Sequence, residues 1–335
     1  MTDRILLSHG EGGKRTRTLV RDAIVLRFGN PVLAPLFDAG LIGRVEGTIA
    51  FTADSYVVSP PFFPGGDIGR LAVCGTVNDL AVCGAKPLAL SCSFILEEGF
   101  PFDRFERILD SMKEAASEAQ VVIACGDTKV VEKGKGDGIF ITTSGLGTVL
   151  TGWRPSPHAV RPGDKVILSG TMGDHQVAVL VARNRLELAA EVFSDAAPLS
   201  SMLLPVVDRF GEQVRFMRDP TRGGVGVSLL EMAESADRRI VLEEALLPVS
   251  RPVRGVCEIL GFDPLYLANE GKAILIVDVR AADAVVAALK EHGYGRNAAV
   301  IGEATEGRPG VSLRTSVGAV RSVDYPVGDQ LPRIC

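Results

Sequence analysis

Acidic residues beside glycines, at the predicted ends of strands and helices, are the part of this sequence best suited to chemistry. Magnesium ions prefer hard oxygen ligands, usually one or two carboxylates completed by the phosphates of a substrate. Several carboxylates brought together repel one another unless a cation neutralises them. Taken singly, each aspartate is better explained as a helix cap or a turn residue. The set as a whole favours a site for a metal ion and a nucleotide, and it comprises Asp54, Asp67, Asp79, Asp127 and Asp219.

A glycine-rich segment near the start, residues 8–14, is a candidate phosphate loop that could close over a nucleotide. Its Gly12 and Gly13, like Gly126 further along, would let backbone N–H groups approach a phosphate closely. Such a loop is a weak signal by itself. The sequence has neither a G-x-G-x-x-G motif after a first strand nor a Walker A motif, which argues against a Rossmann fold and a P-loop.

Two further charged residues lie where a strand is predicted to end or begin. Lys129 follows a predicted strand and the turn Gly126–Asp127–Thr128, where its ammonium could reach a phosphate or a reacting thiol ester. It is equally placed as an ordinary surface lysine. Glu270 precedes the apolar run 273–277, and a carboxylate there is a candidate general base or a simple turn residue.

The last residue of the sequence, Cys335, lies beyond the last predicted core element. Chain ends are ordered only when something ties them down, so residues 326–335 are predicted to form a mobile tail. A thiol on such a tail could carry a group into a pocket, and Pro332 would stiffen its approach. Position alone does not establish a function, because thiol reactivity depends on exposure and on the pKa.

Composition excludes several classes of protein. The chain has 335 residues and a net charge of −5, which leaves room for two domains and gives no basic surface for nucleic acid. Its six cysteines and four histidines form no Cys-x-x-Cys pair or cluster, so we expect neither structural zinc nor disulfides. Cys74, Cys83 and Cys92 are predicted to be core residues. No secretory signal or membrane span is apparent, and we expect a soluble cytoplasmic protein.

Alternating strand and helix patterns predict layered α/β domains with mixed sheets. Turn residues near 150–163 suggest a division into domains 1–155 and 156–325. Helices are predicted over 14–28, 67–83, 102–119, from about 174, near 199–210 and 223–236, and over 250–260 and 281–292. Strands are predicted over 47–58, 87–96, 121–124, 138–149, 165–169, 239–243, 273–279 and 297–303.

Several motifs resemble those of a known superfamily. Residues 51–55, 64–69 and 75–81 are similar to the ATP-binding half of aminoimidazole ribonucleotide synthetase, selenophosphate synthetase and thiamine monophosphate kinase. Within that superfamily, residues 7–13, 126–131, 217–224 and 332–335 resemble the HypE family of hydrogenase maturation proteins, the carbamoyl dehydratases. The resemblance covers essentially the whole chain, and the Pro-Arg-Ile-Cys ending is its most specific part.

The resemblance implies two PurM-like α/β domains, with the N-terminal domains paired in a homodimer and ATP bound near that interface. It also implies that a carbamoyltransferase, HypF, loads the terminal thiol, and that ATP then drives dehydration of the S-carboxamide to a thiocyanate. The cyano group would pass to iron on a HypC–HypD scaffold during assembly of the NiFe hydrogenase centre. Neither nucleic acid nor a membrane is implied as a partner.

The same resemblance suggests a role for each candidate residue. Cys335 would be both carrier and substrate, Lys129 would stabilise developing negative charge, and Glu270 would accept a proton from nitrogen. Magnesium would be held by Asp54, Asp79, Asp127 and Asp219. The nucleotide would contact these four residues together with Asp67, Asn78, Gly12, Gly13 and Gly126.

Two other functions remain compatible with the sequence. One is a small-molecule kinase or synthetase of the same superfamily, of the selenophosphate or thiamine phosphate type, in which Cys335 would be dispensable. Selenophosphate synthetases carry a reactive cysteine or selenocysteine in an N-terminal glycine-rich stretch, and residues 8–14 contain none. The other is a non-catalytic thiol carrier, which would need neither ATP nor the aspartates.

Overall fold

The computed structural model describes residues 3–37, 39–184 and 191–326. Residues 14–28 are helical, as predicted, although a π-helical stretch at 20–25 separates α1 from α2. The elements of the first half are α1 Lys14–Leu19, α2 Leu26–Phe28, β1 Ile49–Tyr56, β2 Phe62–Phe63, β3 Gly66–Asp67, α3 Ile68–Val82, β4 Ala85–Glu97, α4 Phe102–Glu118, β5 Val122–Val131 and β6 Ile139–Val149.

A four-stranded mixed sheet organises this half, in the order β1–β6–β4–β5. Strands β4 and β5 are parallel, and β6 is antiparallel to both of its neighbours. Helix α4 buries Phe105, Ile108 and Met112, its predicted apolar side. Phe51, in contrast, is 73% exposed on the outer face of the sheet.

Helix α3 begins where the sequence predicted it, at an N-cap formed by Asp67. The Asp67 carboxylate accepts hydrogen bonds from the backbone N–H groups of Gly69 (2.8 Å) and Arg70 (2.9 Å). The helix is apolar on nearly all sides because it lies between the first sheet and elements of the second half. Residues on α3 can therefore contact both halves of the molecule.

A seven-stranded sheet organises the second half, in the order β13–β12–β9–β11–β7–β10–β8. Helix α7 packs on one face, and α6 and α9 pack on the other. Because both faces are covered, the whole run 273–277 is buried. The elements are β7 Lys165–Leu168, α5 Asp174–Asn184, α6 Ser200–Phe210, β8 Val214–Arg218, α7 Gly224–Ala236, β9 Arg239–Glu243, α8 Arg251–Leu260, β10 Ile274–Val277, α9 Ala282–Glu291, β11 Ala299–Thr305, β12 Gly310–Arg314 and β13 Val320–Val323.

The structure corrects the sequence-based predictions at three points. Residues 126–129 are not a turn after a strand but part of β5, which continues to Val131 because it pairs with the long β4. Strands β2, β3, β8, β12 and β13 were not predicted. Cys83 is exposed rather than buried, because it lies just past the C-terminal end of α3, whereas Cys74 and Cys92 are buried as predicted.

Asn78 of α3 joins the two halves. Its Nδ2 donates to the carbonyl oxygens of Ala197 and Glu270, both at 3.0 Å, and its Oδ1 accepts from the N–H of Leu199 at 2.8 Å. The first sheet ends at Val149 and the second begins at Lys165, while a boundary at residue 155 stays a prediction. Within the described ranges, no helix is both long and apolar enough to cross a bilayer.

Candidate functional site

Four acidic side chains from both halves converge at the junction between the sheets. Asp54 comes from β1 and Asp79 from α3, whereas Asp219 directly follows β8 and Glu270 lies in the loop before β10. Asp54, Asp79 and Asp219 each affect the ionisation of at least one other of the four, and all three act on Glu270. The fold therefore brings together three of the predicted aspartates and the predicted base.

Hydroxyl groups on β1 and α3 orient these carboxylates. Thr52 donates to Asp79 Oδ2 at 2.5 Å. The hydroxyls of Tyr56 and Thr76 both donate to Asp54 Oδ2 at 3.4 Å. Thr52, Asp54 and Tyr56 share one face of β1 because side chains alternate along a strand.

Burial and mutual repulsion raise the pKa values of three of these carboxyl groups. Burial, followed by repulsion from Asp219, raises the pKa of Asp79 to about 7. Burial, and then the charge of Asp54, raises the pKa of Asp219 to about 6. The pKa of Glu270, which is 3% exposed, is raised well above its usual range by burial and then by Asp195 and the three aspartates. The repulsion among these carboxylates favours a cation at the site.

The donor chemistry of this site suits magnesium. In the described part of the chain, no group of three or more His, Cys, Asp or Glu side chains is arranged to hold a metal ion. Magnesium usually takes only one or two carboxylates and completes its coordination with water and substrate phosphates. A cation at this point would also relieve the repulsion that raises the pKa values of Asp79 and Asp219.

Asp127 and Lys129 lie away from this cluster, on the other face of the first sheet. In the strand register Asp54 and Gly126 share one row, whereas Ser55 and Asp127 share the next, and neighbouring rows face opposite sides. Lys129 Nζ lies 2.8 Å from Asp127 Oδ2, and this hydrogen bond is the first cause of the lowered pKa of Asp127. Both side chains are exposed.

The glycine-rich segment lies near Asp127 instead. Gly12 and Gly13 are exposed just before α1, and the same segment packs on β5, where a Cβ on Gly10 would lie 2.6 Å from Val130 N. A cavity of about 660 Å³ lies between this N-terminal helical segment and β5. Apolar residues form much of its walls. The polar residues in the walls include Lys14, Arg17, Arg21, Asp127 and Thr128.

Three of the predicted residues have contacts that stabilise the fold. Asp67 caps α3 and Asn78 bridges the halves, as described above. Gly126 allows β5 to approach β4, because a Cβ there would lie only 1.9 Å from the carbonyl oxygen of Cys92. Their contact with a nucleotide stays a prediction. Cys335, the predicted carrier, lies outside the described residues.

Sequence reasoning missed a buried ion pair beside Glu270. Lys272 Nζ lies 2.9 Å from Asp195 Oδ2, and both side chains are less than 10% exposed. Asp195 Oδ1 also accepts the N–H of Glu270 at 3.1 Å. Burial acts to raise the pKa of Asp195, but the charges of Lys272 and His175 outweigh it and lower the pKa. No sequence spacing marks this pair, because Asp195 and Lys272 lie in separate loops.

The fold and the site define a class of protein found in comparisons with known families. Residues 37–149 match the description "AIR synthase related protein, N-terminal domain", and residues 161–314 match the corresponding C-terminal domain. The chain is 49% identical to "Carbamoyl dehydratase HypE" of Cupriavidus necator, over 99% of this chain and 95% of that protein. The chain thus belongs to the HypE carbamoyl dehydratase family.

Solved structures agree with this membership. A crystal structure of the hydrogenase maturation protein HypE in complex with ATP superposes with a TM-score of 0.95, at 44% identity, over 98% of this chain and 99% of that one. A crystal structure of a HypE–HypF complex matches with a TM-score of 0.81 at 45% identity, over 92% of this chain and 99% of that one. The predicted pair of mixed α/β domains is confirmed.

Proposed function

We propose that this protein uses ATP to dehydrate a carbamoyl group carried on its own Cys335, and that the resulting thiocyanate supplies the cyanide ligands of a NiFe hydrogenase iron centre. The observation that carries the proposal is the convergence of four acidic side chains at the junction of the two halves, in a member of the HypE family. The Cupriavidus necator relative is a carbamoyl dehydratase, and the similar HypE crystal structure is a complex with ATP.

The chemistry explains why ATP is needed. An amide oxygen is a poor leaving group, and transfer of the γ-phosphoryl group to it converts it into part of a phosphate. The C–O bond then breaks, phosphate leaves with the oxygen, and the nitrogen loses both protons as the C≡N bond forms. Phosphoryl transfer depends mainly on positioned charges rather than on covalent chemistry of the protein.

Asp54, Asp79 and Asp219 would hold magnesium. Asp127, predicted as a fourth ligand, lies on the other face of the first sheet and would not join these three in the same chain. The ion would neutralise phosphate charge and the repulsion among these carboxylates. Glu270 would take a nitrogen proton in its ionised form, whereas burial raises its pKa and so favours the protonated form. Added positive charge near Glu270 would lower that pKa and make the residue a competent base.

A homodimer would place Asp127 and Lys129 of both copies at its interface. The outer face of the first sheet exposes apolar side chains, among them Ile49 (51%), Phe51 (73%) and Ile95 (42%). Exposed apolar patches of this kind mark interaction surfaces, and a two-fold dimer would pair the same face on both copies. Asp127 and Lys129 lie on that face, so ATP bound near the interface could contact them. Lys129 would then stabilise charge on the transferred phosphoryl group.

The proposed partners follow from the family. The HypE–HypF complex supports HypF as the carbamoyl donor. A HypC–HypD scaffold would accept the cyano group, and the assembly would work in the cytoplasm. These assignments apply the family's chemistry to a chain that matches its members along nearly the whole length.

The test follows the mass of the intact protein. Purified protein is incubated with the carbamoylating partner and its substrates, then with Mg·ATP, and the adduct is located by peptide mapping. We expect the mass of one carbamoyl group on Cys335, followed by loss of one water that requires ATP. A stable adduct that loses no water with ATP would contradict the dehydratase assignment and favour a passive thiol carrier.

A further inference from the structure

A second cavity lies between the two halves, apart from the residues assigned to the reaction. Its volume is about 530 Å³, within the range of small-molecule sites. The first half contributes Gly65 and Arg70, and the second half contributes the remaining walls, including Lys272 and Arg296. None of Asp54, Asp79, Asp219 and Glu270 lines it.

Positive charge dominates the walls of this cavity. Its lining holds three cationic side chains, Arg70, Lys272 and Arg296, and a single carboxylate, Asp195. Arg70 is fixed by a hydrogen bond from its Nε to the carbonyl oxygen of Ala196 at 2.7 Å. The lining thus carries more positive than negative side chains, which favours an anionic ligand.

The three cationic side chains differ in whether they already have an ion-pair partner. Arg70 also pairs at 3.0 Å with Glu118, which is not part of the lining, and Lys272 pairs with the buried Asp195. Arg296 is exposed at the mouth and makes no ion pair or hydrogen bond with any residue the structure describes. It is therefore the side chain best able to turn towards an incoming anion.

Glycines keep the cavity open around Lys272. A Cβ on Gly170 would lie 2.8 Å from Lys272 Cε, so any larger residue would displace the lysine side chain from its present path. Gly65 and Gly293 also line the cavity, where the absence of side chains exposes backbone groups. The Lys272 ammonium is therefore held in the wall of the cavity, next to its open volume.

We propose that this cavity binds a phosphate group, either as inorganic phosphate or as part of a small phosphate monoester. Arginine and lysine are the usual partners of phosphate, through charge-assisted hydrogen bonds. The cavity is larger than a bare phosphate needs, which leaves room for a small organic group beside Tyr294 and Ala197. The proposal does not depend on the dehydratase reaction, because binding is measured without ATP.

Isothermal titration of the full chain tests the site. The probes are inorganic phosphate and ribose 5-phosphate, in buffer of low ionic strength containing EDTA, so that no metal can attract phosphate to the carboxylate cluster. We expect saturable binding at one site per chain. Arg296→Gln should weaken it about tenfold, the usual effect of losing one charge-assisted hydrogen bond.

Arg308→Gln is the matched control, because Arg308 is an exposed arginine on the turn between β11 and β12. It makes the same change in net charge and should alter the affinity less than twofold. Melting temperatures of both variants should equal that of the unchanged protein. Tighter binding of ribose 5-phosphate would assign the site to a monoester, and equal or weaker binding would assign it to free phosphate.

The proposal would be overturned if neither probe showed saturable binding up to about 10 mM, because any affinity weaker than that is too low for a specific site. Equal losses in Arg296→Gln and Arg308→Gln would also overturn it, since these would show a general charge effect.

Discussion

Asp79 is held in place by a hydrogen bond from Thr52, and its negative charge is unfavourable because the side chain is buried near Asp219 and Asp54. Its pKa of about 7 lies above the ordinary value of 3.8, so the folded chain binds a proton that the unfolded chain releases. The stabilisation from that proton is complete below about pH 4 and is lost as the pH rises towards 7. In metal-free buffer, the free energy of unfolding of Asp79→Asn should exceed that of the unchanged protein by about 1–2 kcal/mol at pH 8, and by less at pH 5.

Thermal unfolding at pH 5 and pH 8 measures this difference. Asp208→Asn, a change at an exposed position of α6, is the control and should leave the pH dependence unaltered. Titration with Mg·ATP should show weaker binding to Asp79→Asn, because a ligand charge is lost. If Asp79→Asn binds Mg·ATP with unchanged affinity, the nucleotide site lies elsewhere.

Cys335→Ser should abolish carbamoyl loading by HypF without changing the melting temperature. The serine hydroxyl is not ionised at neutral pH, whereas the thiolate is the nucleophile. Cys83→Ser is the matched control, since Cys83 is the exposed thiol of α3's C-terminal end. Adduct mass and melting temperature are measured together, and a carbamoylated Cys335→Ser protein would contradict the carrier role.

Part of the site was predictable at the level of single residues. The aspartates and Glu270 were identified because short acidic residues beside glycines are unusual in such number. Thr52 and Tyr56 were missed, although their i, i+2, i+4 spacing with Asp54 places all three on one face of a strand. Asp195 could not be predicted, since its pairing with Lys272 depends on how two loops of the second half meet.

Helix α3 approaches β1 closely at Gly75. A Cβ on Gly75 would lie 2.2 Å from the Tyr56 hydroxyl oxygen, which is buried beside Asp54. Gly75→Ala should therefore lower the free energy of unfolding by about 2 kcal/mol, through overpacking. Tyr56→Phe removes the clashing oxygen, so the double variant Gly75→Ala/Tyr56→Phe should be less destabilised than the sum of the two single changes.

Denaturant titration of the four proteins gives the coupling energy. Gly255→Ala is the control, because that helical glycine of α8 has no atom within 4 Å of the added Cβ. It should be neutral or stabilising by about 0.5–1 kcal/mol. Additive effects of Gly75→Ala and Tyr56→Phe would mean that the helix shifts instead of the tyrosine.

Most elements were predictable because their apolar periods are regular. The failures have local causes. The composition of residues 126–128 is typical of a turn, yet these residues lie within β5. A strand is possible there because one face of the sheet is open to solvent and because Gly126 lets β4 pass close by. Strands β12 and β13 are edge-side strands whose exposed residues weaken the apolar pattern that marks a strand.

At the scale of the whole molecule, the open face of the first sheet predicts self-association. Phe51→Asp should convert a dimer into monomers, because a charge at the centre of an apolar interface would be buried without a partner. Sedimentation velocity over a range of protein concentrations measures the outcome. Ile259→Asp, at an 80% exposed apolar residue of α8 in the other half, should leave the dimer intact. Dimers of Phe51→Asp would place the interface on another surface.

The two-domain architecture was predictable from the order of strands and helices and from the family motifs. The meeting of the halves was not, because it depends on α3 being apolar on sides that no sequence pattern assigns to a partner. Asp219 and Glu270 are far from Asp54 in the sequence, and only that packing brings them together. The sequence therefore predicted the candidate residues. It did not predict that Asp127 and Lys129 lie on the opposite face of the first sheet from Asp54.

The bridge made by Asn78 has a consequence for how the molecule melts. One side chain of the first half makes three hydrogen bonds to backbone groups of the second half, including the carbonyl of Glu270. Neither half can then unfold without exposing polar groups of the other, so scanning calorimetry should show one endotherm with equal calorimetric and van't Hoff enthalpies. Asn78→Asp, which cannot donate two hydrogen bonds, should split it into two. A single unsplit endotherm in that variant would mean that other contacts, such as the hydrogen bond from Arg70 to Ala196, are enough to couple the halves.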